Sequence, residues 1–84
     1  EVQSSATFTA FPNPATENVT IRFEYPVKGD LIISSINGNA VLKLPIDSKE
    51  MTIATSELSE GVYFIDVEAA QSTYNKTKLV IVHK

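Results

Sequence analysis

The stretch Gly61-Val62-Tyr63-Phe64-Ile65-Asp66-Val67-Glu68-Ala69 alternates without interruption. An extended chain sends successive side chains to opposite faces, so Tyr63, Ile65, Val67 and Ala69 share one side. Val62, Phe64, Asp66 and Glu68 share the other. The residue types favour strand, and one of its faces is a core face. Just before it, Ser56-Glu57-Leu58-Ser59-Glu60-Gly61 gathers turn-forming residues, and Gly61 can take a positive φ that swings the chain into the strand. Such a strand needs a partner along each edge and a second layer over Tyr63.

The rest of the chain supplies candidates in order. Ala6 to Phe11 alternates weakly and reads as an edge strand, stopped by Pro12-Asn13-Pro14, because proline lacks an amide donor and restricts the residue before it. Asn18 to Tyr25 reads as a second strand, with Val19, Ile21, Phe23 and Tyr25 inward. Pro26 and Gly29 bracket a predicted turn. Asp30 to Ile36 follows as a third strand, where the run Leu31-Ile32-Ile33 implies partial burial on both faces. Asn37-Gly38 is a hairpin signal, since both residues tolerate positive φ. Asn39 to Leu44 pairs back and is ended by Pro45. Asp47 to Glu50 reads as a charged turn, Met51 to Thr55 as a fifth strand, Gly61 to Ala69 as the sixth and Lys76 to His83 as the seventh. In the last, Leu79 and Ile81 oppose Val80 and Val82. Seven short strands with turns between them predict an all-β fold, an immunoglobulin-like antiparallel β-sandwich.

The chain has 84 residues and no cysteine, enough for one small domain held by its core alone. Its net charge of −3, with seven Lys and Arg scattered along it, argues against a nucleic-acid partner, which requires a basic footprint. The longest apolar runs are far too short to span a bilayer as a helix. Glu1, Val2, Gln3, Ser4 and Ser5 read as the remnant of a linker to a larger neighbour, with the domain proper at 6–84.

Reactive groups are sparse. The single His, His83, lies one residue from the end, so a catalytic role is not expected and the chain is not read as an enzyme. Glu57 and Glu60 read as a solvated turn, and neither a metal set nor a cofactor is expected. An exposed Phe64 or Phe11 with Tyr74 would make an aromatic platform for sugar, so an accessory carbohydrate-binding or adhesion module of an extracellular protein is the alternative function. The terminal run Leu79 to Val82 either completes the core or offers an edge for strand addition. That edge also predicts a homodimer through edge strands.

Phe11-Pro12-Asn13-Pro14-Ala15 leading into Val19-Thr20-Ile21, the turn Asn37-Gly38-Asn39-Ala40-Val41, Leu58 followed by Gly61-Val62-Tyr63, and the ending Lys78 to Lys84 occur in this order. Together they resemble the type A C-terminal sorting domain of the type IX secretion system. The resemblance implies a detachable signal on a larger cargo that transits the periplasm and reaches the outer membrane, the cell surface or the medium. An outer-membrane β-barrel shuttle and translocon would read the folded domain, and a surface sortase-like cysteine peptidase would cut at or before Glu1 to Ser5. The residues carried over as recognition features are Pro12, Asn13, Pro14, Gly38, Gly61, Tyr63, Lys78, Val80, Val82 and Lys84, with Leu79 to Lys84 as the docking edge. At Ser35 and Asn39 the chain departs from the family, which commonly has Asp and then Arg or Lys there, so no charged pair is expected at that turn.

Overall fold

The computed structural model describes residues 5–6, 8–69, 72–74 and 76–83. The described residues form β1 (Ser5–Ala6), β2 (Phe8–Phe11), β3 (Asn18–Ser35), β4 (Ala40–Ala54), β5 (Gly61–Ala69), β6 (Ser72–Tyr74) and β7 (Thr77–Ile81), with no helix among them. All belong to one hydrogen-bonded sheet. Its pairings are antiparallel apart from β1 against β6 and an isolated bridge from Ala15 to Ile81. The expected all-β class holds, but only five strands have four residues or more. A single curled sheet stands where two separate immunoglobulin-like sheets were expected.

Two expected turns are strand. The predicted second and third strands are the halves of β3, and the fourth and fifth are the halves of β4. Pro26 is tolerated because β3 loses register with β4 between Arg22 and Val27. On its other edge, pairing with β2 has ended at Phe23 and pairing with β5 begins only at Gly29, so the missing amide leaves no ladder bond unmade. Pro45 pairs with Asp30 on β4, whose far edge has no strand partner among the described residues. Gly29 marks close approach rather than a turn, since a Cβ there would fall on the carbonyl oxygen of Glu68 in β5. Tyr25, expected inward, lies in the register break and is 74% exposed.

The break lets β3 double back. Asn18 pairs with Ala54 and Ser35 with Tyr63, and only residues 55–62 join those two partners. At no more than about 3.6 Å per residue and about 5 Å across each strand pair, the link holds the ends of β3 within roughly 42 Å. A straight strand of 18 residues would need more than about 55 Å. The first half of the sheet is therefore β2 with 18–23 of β3 and 50–54 of β4. The second is 27–35 of β3, 40–48 of β4, β5, β6 and β7. Their inner faces merge in one core: Val19, Ile21 and Phe23 from one half, Leu31, Ile33, Ile65, Leu79 and Ile81 from the other. Phe8, Phe23 and Tyr74 pack as three rings with centroids 5.7 to 6.2 Å apart.

The alternation around Gly61 behaves as expected. Tyr63, Ile65 and Val67 are buried, and β5 has β3 on one edge with β7 and β6 on the other. At the hairpin, Gly38 N–H donates to the Ser35 carbonyl and Ser35 N–H to the Asn39 carbonyl, both at 2.9 Å. Only Gly38 takes positive φ there, 93°. This is an ordinary turn closed by a left-handed glycine, and Asn37 does not use its tolerance.

Candidate functional site

The motif pieces that lie far apart in sequence meet along the outer edge of β7. Thr77, Leu79 and Ile81 pair with Ile65, Tyr63 and Gly61, while Lys78, Val80 and Val82 direct their backbone groups away from β5. The segment between β2 and β3 receives those groups. Val80 N–H donates to Asn13 Oδ1 and Asn13 Nδ2 donates to the Lys78 carbonyl, each at 3.0 Å. Ala15 N–H donates to the Val80 carbonyl at 2.8 Å, and Val82 N–H to the Ala15 carbonyl at 2.9 Å. The Asn13 amide thus imitates a peptide group, and Asn13 with Ala15 forms a substitute strand along β7. Pro12 and Pro14, both preceded by cis peptide bonds and both exposed, flank Asn13.

This closes the edge that the sequence offered for docking. From the Lys78 carbonyl to the Val82 amide the outward groups already have partners, so strand addition there would have to displace Asn13 and Ala15. Lys84 and Glu1 to Ser4 lie outside the described residues. Ser5, expected in the linker, pairs with Thr73 in β1 and β6. The long edge without a strand partner among the described residues is that of β4, where Lys43, Pro45, Asp47, Lys49 and Glu50 blunt self-association.

His83, just past β7, is tied down by two contacts. His83 N–H donates to Glu60 Oε2 at 2.8 Å, and His83 Nε2 lies 2.6 Å from the Leu58 carbonyl, which can only accept. Tyr63 O–H donates to the Ser59 carbonyl at 2.7 Å. Gly61, with φ of 153°, begins β5 opposite Ile81. The 56–61 turn is therefore held from both strands beside it. Thr55, fully buried, adds a tie from the other half, its N–H donating to the Glu17 carbonyl at 2.9 Å. Gly38 stands in the exposed hairpin tip that follows Ser35, the partner of Tyr63.

Ala15, Leu58 and His83 lie within the motif pieces without having been singled out for a role, and Glu60 was read as part of a solvated turn. A lone alanine after a proline carries no local sign of complete burial, and Glu60 reads as solvated until β7 is laid beside it. The aromatic platform does not assemble. Tyr74 packs against both Phe8 and Phe23, Phe11 lies under the Arg22 guanidinium at 4.9 Å from its ring centre, and Phe64 is on the outer face of β5.

No curated protein and no solved structure is matched by the chain. The family model of the secretion system C-terminal sorting domain matches residues 9–82, which takes in the Pro12 to Ala15 segment, the hairpin, the 56–61 turn and all of β7. The chain belongs to the C-terminal sorting domains of the type IX secretion system.

Proposed function

We propose that this chain directs a larger cargo protein through the periplasm and across the outer membrane, and that its folded shape is what the secretion machinery reads. The family match over residues 9–82 carries this reading. The interlock of Asn13 and Ala15 with Lys78, Val80 and Val82 supports readout of a fold rather than of a linear tail, since the conspicuous motif residues are spent on one another. An outer-membrane β-barrel shuttle and the translocon are the partners proposed. Removal by a surface sortase-like cysteine peptidase at or before Glu1 to Ser5 completes the sequence of events. Self-association through an edge strand would have to use β4 or the short β2, edges without a second strand partner among the described residues.

The test appends residues 1–84 to a periplasmic reporter in a host with the type IX system. The reporter is expected outside the cell, and its retention in the periplasm removes the reading. Deleting Val82 to Lys84 takes away the Val82 bond to Ala15 and both His83 bonds, and is expected to stop export. Export of that truncation at the parent level would show that the anchored end is dispensable.

A further inference from the structure

Of the five asparagines in the chain, only Asn37 is followed by glycine. Asn37 and Gly38 stand at the tip of the hairpin between β3 and β4, and every residue from Asn37 to Ala40 is exposed. The Asn37 carboxamide has no hydrogen-bond partner among the described residues. A Cβ built on Gly38 would meet no atom within 4 Å, so nothing crowds the glycine either. An uncommitted carboxamide thus stands next to an unhindered backbone amide, and the two can react with each other.

The Gly38 nitrogen, on losing its proton, attacks Cγ of Asn37. The N–Cγ bond forms, the Cγ–Nδ2 bond breaks, and Nδ2 takes up a proton and leaves as ammonia, which closes a succinimide ring. Water then opens the ring: attack at Cγ gives aspartate, and attack at the main-chain carbonyl gives isoaspartate. Water is the only co-reactant, and nothing is oxidised or reduced. One contact restrains the step, since Gly38 N–H donates to the Ser35 carbonyl at 2.9 Å and must be released first. That bond lies at an exposed tip, where local opening costs least. The other asparagines are less suited. Asn13 precedes Pro14, whose nitrogen has no proton to lose, and its carboxamide is held by Val80 and Lys78. Asn18 precedes Val19, which is β-branched and fully buried in β3. Asn39 precedes Ala40, whose Cβ stands beside the amide that begins β4. Asn75 lies outside the described residues and precedes Lys76.

We propose that Asn37 is a self-modification site, converted through a succinimide with Gly38 to aspartate and isoaspartate at a rate set by release of the Gly38 bond to Ser35. Conversion adds one carboxylate to a chain of net charge −3, in a stretch, Leu31 to Leu42, that has no charged residue of its own. In the isoaspartate form the main chain runs through Cβ and Cγ and gains an atom between positions 37 and 38. The bonds from Gly38 to Ser35 and from Ser35 to Asn39 close the turn across that point, so isoaspartate opens the hairpin tip while aspartate keeps it. The conversion belongs to this turn and holds whether or not the chain is a sorting signal.

The experiment ages the purified chain in mildly alkaline buffer, folded and unfolded in urea, beside the variants Gly38→Ala and Asn37→Gln. Anion exchange follows the species with one added negative charge, peptide mapping by mass spectrometry locates the change, and enzymatic isoaspartyl methylation measures the isoaspartate share. Circular dichroism verifies the fold of each undenatured sample. The folded parent is expected to yield an acidic species that maps to Asn37 and contains isoaspartate. Unfolding is expected to speed its formation about fivefold, the factor that one turn hydrogen bond is worth. Gly38→Ala is expected to lose the acidic species, because a Cβ hinders ring closure. Its alanine would sit at a φ of 93°, a strained position. If that variant does not fold, Asn37→Gln decides, since its side chain is exposed and would have to close a larger ring, and it is expected to lose the acidic species too. An acidic species that persists in folded Asn37→Gln, or that maps to another asparagine, overturns the assignment. A folded parent that keeps its amide while the unfolded chain loses it also overturns the assignment. Equal rates in the folded and unfolded chain overturn the restraint by Ser35.

Discussion

On the outer side of the first half of the sheet, the Thr20 and Thr52 hydroxyls share a hydrogen bond across strands at 3.0 Å. Arg22 there reaches Glu50 at 3.4 Å and covers the Phe11 ring. On the outer side of the second half, Ile32, Val62, Phe64 and Val80 stand among Asp30, Lys43, Asp66, Glu68 and Lys78, which form no ion pair with one another. Both faces belong to the same strand, β3, and follow the same period of 2. The first face pairs several of its polar groups across strands. The second mixes half-buried apolar side chains with charges of both signs that form no ion pair. What distinguishes them is which residues occupy the even positions, since the backbone treats both alike.

The contrast can be broken at three levels of energy. Leu79, fully buried on β7, belongs to the core that both halves share. Leu79→Ala is expected to lose about 2 to 5 kcal/mol, read as a lower urea midpoint, and a loss under ~1 kcal/mol would mean that β7 is peripheral to the core. Asn13→Ala tests the covered edge of the second half. It removes two hydrogen bonds at an exposed site, so about 1 kcal/mol is expected, together with faster hydrogen exchange at the Val80 amide. An unchanged Val80 exchange rate would rule out the Asn13 side chain as its partner. Thr52→Ala touches only the first outer face, where the loss is expected to stay under about 0.5 kcal/mol. A larger loss would erase the distinction between the faces.

Much of this was legible along the chain. The alternation from Gly61 to Ala69 identified Tyr63, Ile65 and Val67 as buried, and the run Leu31-Ile32-Ile33 signalled the apolar residue now found outside. Asn37-Gly38 marked the hairpin, and the opposed sides of Leu79 and Val80 were read correctly. Pro26, Pro45 and Gly29 were read as turns because their local effects are those of turns. Each was accommodated by something distant. Pro26 sits where neither neighbouring strand needs its amide, Pro45 lies on a strand without a second neighbour, and Gly29 makes room for the Glu68 carbonyl. Tyr25 was placed inward by parity, and the register break turned it out.

By itself the order of residues determined that the chain is built of strands, which side chains are apolar at every second place, and where the chain can reverse. Those are short-range properties, set by side-chain direction and by the allowed φ of a few residues. Tertiary structure alone decided that β3 doubles back, that Asn13 and Ala15 cover β7, and that Glu60 and His83 meet. These contacts join groups 23 to 67 residues apart. Local preference cannot specify them, because whether a backbone amide is satisfied depends on which distant segment the shared core brings beside it.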